Sequence, residues 1–295
     1  MKVLVFGAGG QIGRELCRAA WPPHYTLVAL NRGKIDITKS ALVSVLFRKE
    51  RPDLAINLAA YTAVDRAESE PEAAWAVNCA GAAHIAAACY ETGTPLIHVS
   101  TDYVFNGHKT EPYREEDPVG PLGVYGCSKE AGERAVRAAL QSHVILRTAW
   151  VYAADGVNFV KTMLRLAADR PLLRIVADQR GCPTSAAEIA TALIVIARHF
   201  ERGDARWGTY HFAGGGAVSW YGFAEAIFDL AAPRLVARPQ LVAIGTEQYP
   251  TPARRPMNSV LDCRKIKDVY GISPPAWQAA LAPVIEQLIN RTHPS

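Results

Sequence analysis

Val3-Leu4-Val5-Phe6-Gly7-Ala8-Gly9-Gly10-Gln11-Ile12-Gly13 stands almost at the start of the chain and decides its fold. Four apolar residues in unbroken succession read as a strand covered on both faces, as the strands of a parallel sheet are. The glycines that follow allow a tight turn at Gly7, close approach of the backbone to a ligand at Gly10, and close helix–strand packing at Gly13. A helix begins at Gln11, so free backbone N–H groups and the positive end of a helix dipole meet at one point. Strand, glycine turn and helix in that order predict a βαβ unit that holds a dinucleotide by its diphosphate, through Gly7, Gly10, Gln11, Ile12 and Gly13. The same glycines elsewhere in a chain would be only a turn.

The alternation continues beyond this unit. Compact apolar runs recur at Thr26–Leu30, Leu54–Leu58, Leu96–Val99 and Val144–Leu146, with helix-length stretches at Gln11–Ala20, Ala73–Glu91 and Ser128–Ala139 between them. This predicts an α/β fold, a Rossmann-type doubly wound parallel sheet with right-handed crossovers. After Trp150 the pattern changes. Helical stretches at Phe159–Ala168, Ser185–Phe200, Tyr221–Leu230 and Trp277–Asn290 are separated by loops such as Gly181-Cys182-Pro183, Gly214-Gly215-Gly216 and Tyr249-Pro250-Thr251-Pro252. The expected organisation is a dinucleotide-binding domain over residues 1–150 and a smaller C-terminal substrate-binding lobe over residues 151–295. Some segments of the second part return to the first, and the boundary is diffuse.

Composition narrows the function classes. The 295 residues are 49% hydrophobic and 20% charged, an ordinary balance for a globular protein with a sizeable core. A net charge of +4 without a basic run gives no footprint for nucleic acid, and no apolar stretch is long enough to cross a bilayer. Met1-Lys2 leads directly into the first strand, which is not the pattern of a signal peptide. The six cysteines, Cys17, Cys79, Cys89, Cys127, Cys182 and Cys263, are scattered among apolar neighbours with no Cys-x-x-Cys pair. Free thiols in a reducing compartment, the cytoplasm, are therefore expected.

Chemistry-bearing residues fall at strand ends, where ligands of open α/β sheets bind. Leu30-Asn31-Arg32 closes the second strand without the usual ribose-binding carboxylate, and Arg32 suits a 2′-phosphate. That tilts the expected cofactor toward NADPH without excluding NADH; a surface arginine is the plainer alternative. Asp36 and Ile37 are placed to flank the adenine, and Ala59, Ala60, Tyr61 and Thr62 to lie along the cofactor. Ser100-Thr101-Asp102 ends the fourth strand and offers hydroxyls near the reacting centre, although this triplet also suits a helix cap. Tyr125 and Lys129 then share one face of the next helix. An adjacent ammonium favours the phenolate and is expected to draw the tyrosine toward useful acid–base range.

With the glycine turn and Tyr-x-x-x-Lys, the chain resembles the extended short-chain dehydrogenase/reductase superfamily and, within it, the family of dTDP-4-dehydrorhamnose reductases. Asn57–Pro71, Ser100–Gly107, Val124–Lys129, Arg147–Tyr152, Asn158–Leu166, Asp178–Thr184 and Tyr249–Ser259 carry the finer resemblance, which runs nearly end to end. It implies an NAD(P)H-dependent oxidoreductase that reduces the C4 keto group of dTDP-4-dehydro-L-rhamnose to dTDP-L-rhamnose, the last step of dTDP-rhamnose biosynthesis. Thr101, Tyr125 and Lys129 would be the catalytic set, with Ser100, Tyr125 and Lys129 also touching the cofactor. Tyr125 would donate a proton, Thr101 would bond the same oxygen, and Lys129 would hold the nicotinamide ribose. Thr101, Asp102, Tyr125 and Trp150 would contact the sugar, and Arg254 and Arg255 the diphosphate. Trp150 also suits a core position, and the two arginines a solvated surface. Some family members are Mg²⁺-linked homodimers. Glu15 and Glu188 stand at two of the matching positions, but Gln287 replaces the third carboxylate, with Glu286 beside it. Two rivals use the same scaffold: a sugar-nucleotide epimerase or other 4-keto reductase, and a non-catalytic regulatory subunit, against which the intact Thr101, Tyr125 and Lys129 argue.

Overall fold

Lys2–Phe6 forms the first strand (β1), and its side chains alternate between two separate cores. Val3 and Val5 point into one, Leu4 and Phe6 into the other, and all four are fully buried. A strand buried on both faces gains roughly 1.5–3 kcal/mol per large apolar side chain, so this run anchors the sheet. In the computed structural model the described residues are 1–234 and 237–292; residues 235–236 and 293–295 of the expected second lobe lie outside them.

The first half continues with α1 (Gln11–Arg18), β2 (Thr26–Leu30), α2 (Ser40–Glu50), β3 (Leu54–Asn57), α3 (Val64–Ser69), α4 (Pro71–Trp75), α5 (Ala82–Thr92), β4 (Leu96–Thr101), α6 (Val124–Ala139) and β5 (His143–Thr148). After it come β6 (Val151–Tyr152), α7 (Phe159–Asp169), β7 (Leu172–Val176), β8 (Arg180–Gly181), β9 (Thr184–Ser185), α8 (Ala186–Arg202), β10 (Gly208–His211), β11 (Val218–Ser219), α9 (Trp220–Ala231), β12 (Gln240–Ile244), α10 (Arg264–Tyr270) and α11 (Trp277–Thr292). The main sheet has six strands, all parallel, in the order β10-β5-β4-β3-β1-β2. Strand order reverses between β1 and β3, the switch point at which open α/β sheets bind ligands.

The later segments divide between two places. Helix α8 packs its Ile189, Leu193 and Ile196 onto the β1 face that holds Val3 and Val5, and β10 extends the sheet beyond β5. Helices α7, α9 and α11 instead surround a third core built on Tyr152, Phe223, Trp277 and Leu281.

The single helix expected over Ala73–Glu91 is interrupted. A π-turn at Ala76–Gly81 separates α4 from α5. One extra residue in the turn rotates Asn78 inward, where it is 1% exposed. Such π-turns are frequent at functional sites.

Candidate active site

Gly7 takes φ +77°, and a Cβ there would lie 2.6 Å from the backbone of Leu58 and Ala59 at the end of β3. A Cβ at Gly13 would run into the carbonyl oxygen of Gly7. The turn therefore needs both glycines for its shape, and it delivers the start of α1 against the β1/β3 switch point. There it borders a cleft of about 570 Å³. Gly7, Gly10, Gln11, Ile12 and Gly13 line one end; Ala60, Thr62, Ser100, Thr101, Asp102, Tyr125, Lys129 and Trp150 line the remainder. A glycine cradle at a helix N-terminus, open to a cleft with hydroxyls and an ammonium in its floor, fits a dinucleotide.

Other expected cofactor residues stand outside that lining. Asn31 and Arg32 are exposed just past β2. The Asp36 carboxylate accepts hydrogen bonds from the Thr38 N–H (3.0 Å) and hydroxyl (2.8 Å), which hold its pKa below the usual value. Ile37 is buried. Ala59 and Tyr61 are half-buried, and the Tyr61 hydroxyl donates to Glu70 at 2.6 Å.

Tyr125 lies in the first turn of α6, half-buried, with the Tyr103 ring edge-on at 5.7 Å. Lys129, one turn on, is 2% exposed and donates to the Val99 carbonyl at 2.8 Å. Burial lowers the Lys129 pKa to about 8, with the Glu133 charge opposing the fall. The expected pull of Lys129 on the phenol is not what the structure shows. Burial pushes Tyr125 up to about 12, a hydrogen bond with Thr101 works the other way, and the nearby Asp102 charge adds to the rise. The ammonium is tied to the backbone of β4, and the carboxylate beside Thr101 acts on the phenol instead. Thr101 donates to Asp102 Oδ1 at 3.0 Å and accepts from the Tyr103 N–H at 3.2 Å. Asp102 is raised to about 6 by burial, with hydrogen bonds from Ser259 and Thr101 holding it back.

Beneath this set lie residues that local sequence did not single out. Glu133, one turn beyond Lys129, is fully buried and takes a bidentate bond from Arg147 on β5, at 2.9 and 2.7 Å. Arg137 adds a third contact at 3.0 Å, and these cations carry Glu133 down to about 2 against the effect of burial. The pair fastens α6 to β5. Asn78, turned inward by the π-turn, accepts from the Tyr61 N–H (2.8 Å) and donates to the Tyr61 carbonyl (3.1 Å) and the Ser128 hydroxyl (3.0 Å). It thus ties the loop after β3 to the helix that carries Lys129. Asn78 stands out only as a polar residue in an apolar stretch, Glu133 is one of several charges along α6, and the partners Tyr61 and Arg147 are distant in sequence.

The opposite wall comes from the second half of the chain. Trp150 is half-buried at φ +45°, a backbone conformation that bulky residues rarely adopt. Its indole stacks flat on that of Trp220, with centroids 3.4 Å apart, and both rings line the cleft. Strain of this kind, held by packing, clusters at functional sites. Arg254 is exposed and Arg255 pairs with Asp65 at 2.8 Å; neither lines the cleft. Glu15, Glu188 and Gln287 do share a separate cleft of about 250 Å³. Mg²⁺ takes hard oxygen ligands, commonly one or two carboxylates alongside several retained waters. Among the described residues no group of three or more His, Cys, Asp or Glu side chains is arranged to hold a metal.

Comparison with known proteins identifies the family. Residues 1–290 match the family model described as RmlD substrate binding domain. A dTDP-4-dehydrorhamnose reductase of Aggregatibacter actinomycetemcomitans is 45% identical over 95% of this chain and 97% of its own length. The crystal structure of a dTDP-4-dehydrorhamnose reductase from Clostridium acetobutylicum superposes with a TM-score of 0.92 at 36% identity, over 98% of this chain and 99% of that one. The Bacillus anthracis reductase, solved in complex with NADP, gives 0.90 at 34% identity, over 97% and 99%. The chain belongs to the RmlD substrate binding domain family.

Proposed function

We propose that this enzyme reduces the C4 keto group of dTDP-4-dehydro-L-rhamnose, with NADPH or NADH as reductant, and releases dTDP-L-rhamnose. One observation carries the reading: Thr101, Tyr125 and Lys129 meet in the same cleft as the glycine turn. The names of the relatives and the NADP in the Bacillus anthracis structure support it.

The glycine turn and the first turn of α1 would hold the diphosphate, and Lys129 the nicotinamide ribose. When bound, the reduced nicotinamide supplies a hydride to the carbonyl carbon. Thr101 and Tyr125 would hold the carbonyl oxygen. As charge grows there, the Tyr125 Oη proton passes to that oxygen, and the phenolate takes a proton back from solvent before the next turnover. A phenol held near 12 keeps its proton across the neutral range, the state that proton donation requires. Lys129 lends positive charge to the same corner. Free thiols suit the cytoplasm, and the family resemblance is the ground for proposing a homodimer.

A substrate panel tests this reading. The protein should oxidise NADPH with dTDP-4-dehydro-L-rhamnose and form dTDP-L-rhamnose. Turnover of a different keto-sugar nucleotide but not this one would reject the substrate. Copurifying NAD with no net NADPH oxidation would favour an epimerase.

A further inference from the structure

Thr148 ends β5 with 4% exposure, and its Oγ1 has no hydrogen-bond partner among the described residues. A buried hydroxyl left unpaired is costly, so such an atom points to something absent from the bare chain. Thr148 is the cross-strand neighbour of Thr101, so the two side chains share one face of the sheet with Cα atoms one strand spacing, about 5 Å, apart. Both line the cleft. The Thr101 hydroxyl has partners within the chain, Asp102 and the Tyr103 N–H, whereas the Thr148 hydroxyl has none among the described residues.

The order of strand ends indicates which ligand it meets. Across the sheet the glycine turn follows β1, the Ala60–Thr62 loop follows β3, Thr101 ends β4, and Thr148 ends β5. The dinucleotide occupies the glycine-turn end, and Thr101 and Tyr125 mark the carbonyl to be reduced. Thr148 lies one strand beyond Thr101 on the side away from the glycine turn. Two residues later comes Trp150, stacked on Trp220. A hydroxyl beside a flat indole matches a hexose, which has hydroxyls at its edge and C–H groups on its face.

We propose that Thr148 is a sugar-contacting residue, its Oγ1 bonded to the hexose hydroxyl on C3, next to the carbon being reduced, while Trp220 backs Trp150 as the apolar wall. This rests on the reductase reading of the cleft. The test compares wild type with Thr148→Val, which keeps the shape and deletes the hydroxyl, and Thr148→Ser, which restores it. Wild-type turnover of dTDP-4-dehydro-L-rhamnose is measured first, and its absence would sink the reductase reading itself. Given that activity, Val should raise KM for the sugar nucleotide about 10-fold and leave the NADPH Kd unchanged, with Ser within about twofold of wild type. With a substrate lacking the C3 hydroxyl, wild type and the Val variant should become equivalent. Wild-type kinetics in the Val variant would overturn the proposal. So would a weakened NADPH Kd at constant sugar KM, or a Val penalty that persists with the deoxy substrate.

Discussion

The floor and the wall of the cleft are built on opposite principles. The floor, from β4, α6 and β5, is polar and deeply buried: Lys129 in it, and Glu133 and Arg147 beneath it, are at most 3% exposed and bonded in fixed geometry. The wall, from Trp150 and Trp220, is aromatic and half-buried, and one of its residues sits in a strained backbone conformation. Chemistry that moves a proton needs groups that do not reorient, and buried, bonded charges supply that. Recognition of a sugar needs area and shape, which flat rings supply. Damage to the buried, bonded charges should therefore appear in kcat or in folding, and loss of a sugar contact, at the wall or at Thr148, in KM.

The largest expected effect is at Tyr125. Tyr125→Phe should lower kcat by about 10²- to 10⁴-fold while NADPH affinity, read by fluorescence titration, stays close to wild type. Near-normal turnover would remove Tyr125 from the acid role. Next is the buried ion pair. Glu133→Gln leaves Arg147 without its counter-charge and should cost about 3–5 kcal/mol in denaturant unfolding. The sign with pH follows from a carboxylate held near 2 instead of its ordinary 4.5. Its stabilising contribution is complete above pH 4.5 and disappears as pH falls from there toward 2, so acid should flatten the difference between wild type and variant.

A smaller effect concerns Lys129. With its pKa at about 8, kcat/KM should fall as pH rises through 8 and the ammonium is lost. A profile flat to pH 10 would mean that the charge is not needed. The least effect is expected at the wall. Trp220→Ala should raise the sugar KM by about 2- to 10-fold with little change in kcat, in line with the 0.5–1.5 kcal/mol of an aromatic pair. A large loss in kcat instead would erase the contrast between floor and wall.

The same contrast explains what was legible in the sequence. The glycine turn and the Tyr125/Lys129 pair are local patterns: the residues of each lie within a helical turn or a few positions of one another, so spacing alone discloses them. The parallel sheet was legible too, because strands buried on both faces read as unbroken apolar runs. Glu133 and Asn78 were not, since Arg147 and Tyr61 reach them only after the sheet and its helices assemble. Trp220 is separated from Trp150 by nearly half of the chain that follows residue 150, and only the folded chain stacks them. The direction of the Tyr125 shift is hidden from the sequence for a related reason. Helical spacing puts Lys129 on the right face, but burial and the carboxylate of Asp102 depend on the tertiary surroundings.

The most direct test of the account is to follow the hydride. Wild-type enzyme is given dTDP-4-dehydro-L-rhamnose with NADPH deuterated in turn on each face of the nicotinamide C4, and the product is read by proton NMR. Stoichiometric deuterium is expected at C4 of dTDP-L-rhamnose from one face only, with one NADPH oxidised per sugar. Product without deuterium at C4, or a product formed with no net oxidation of NADPH, would contradict it.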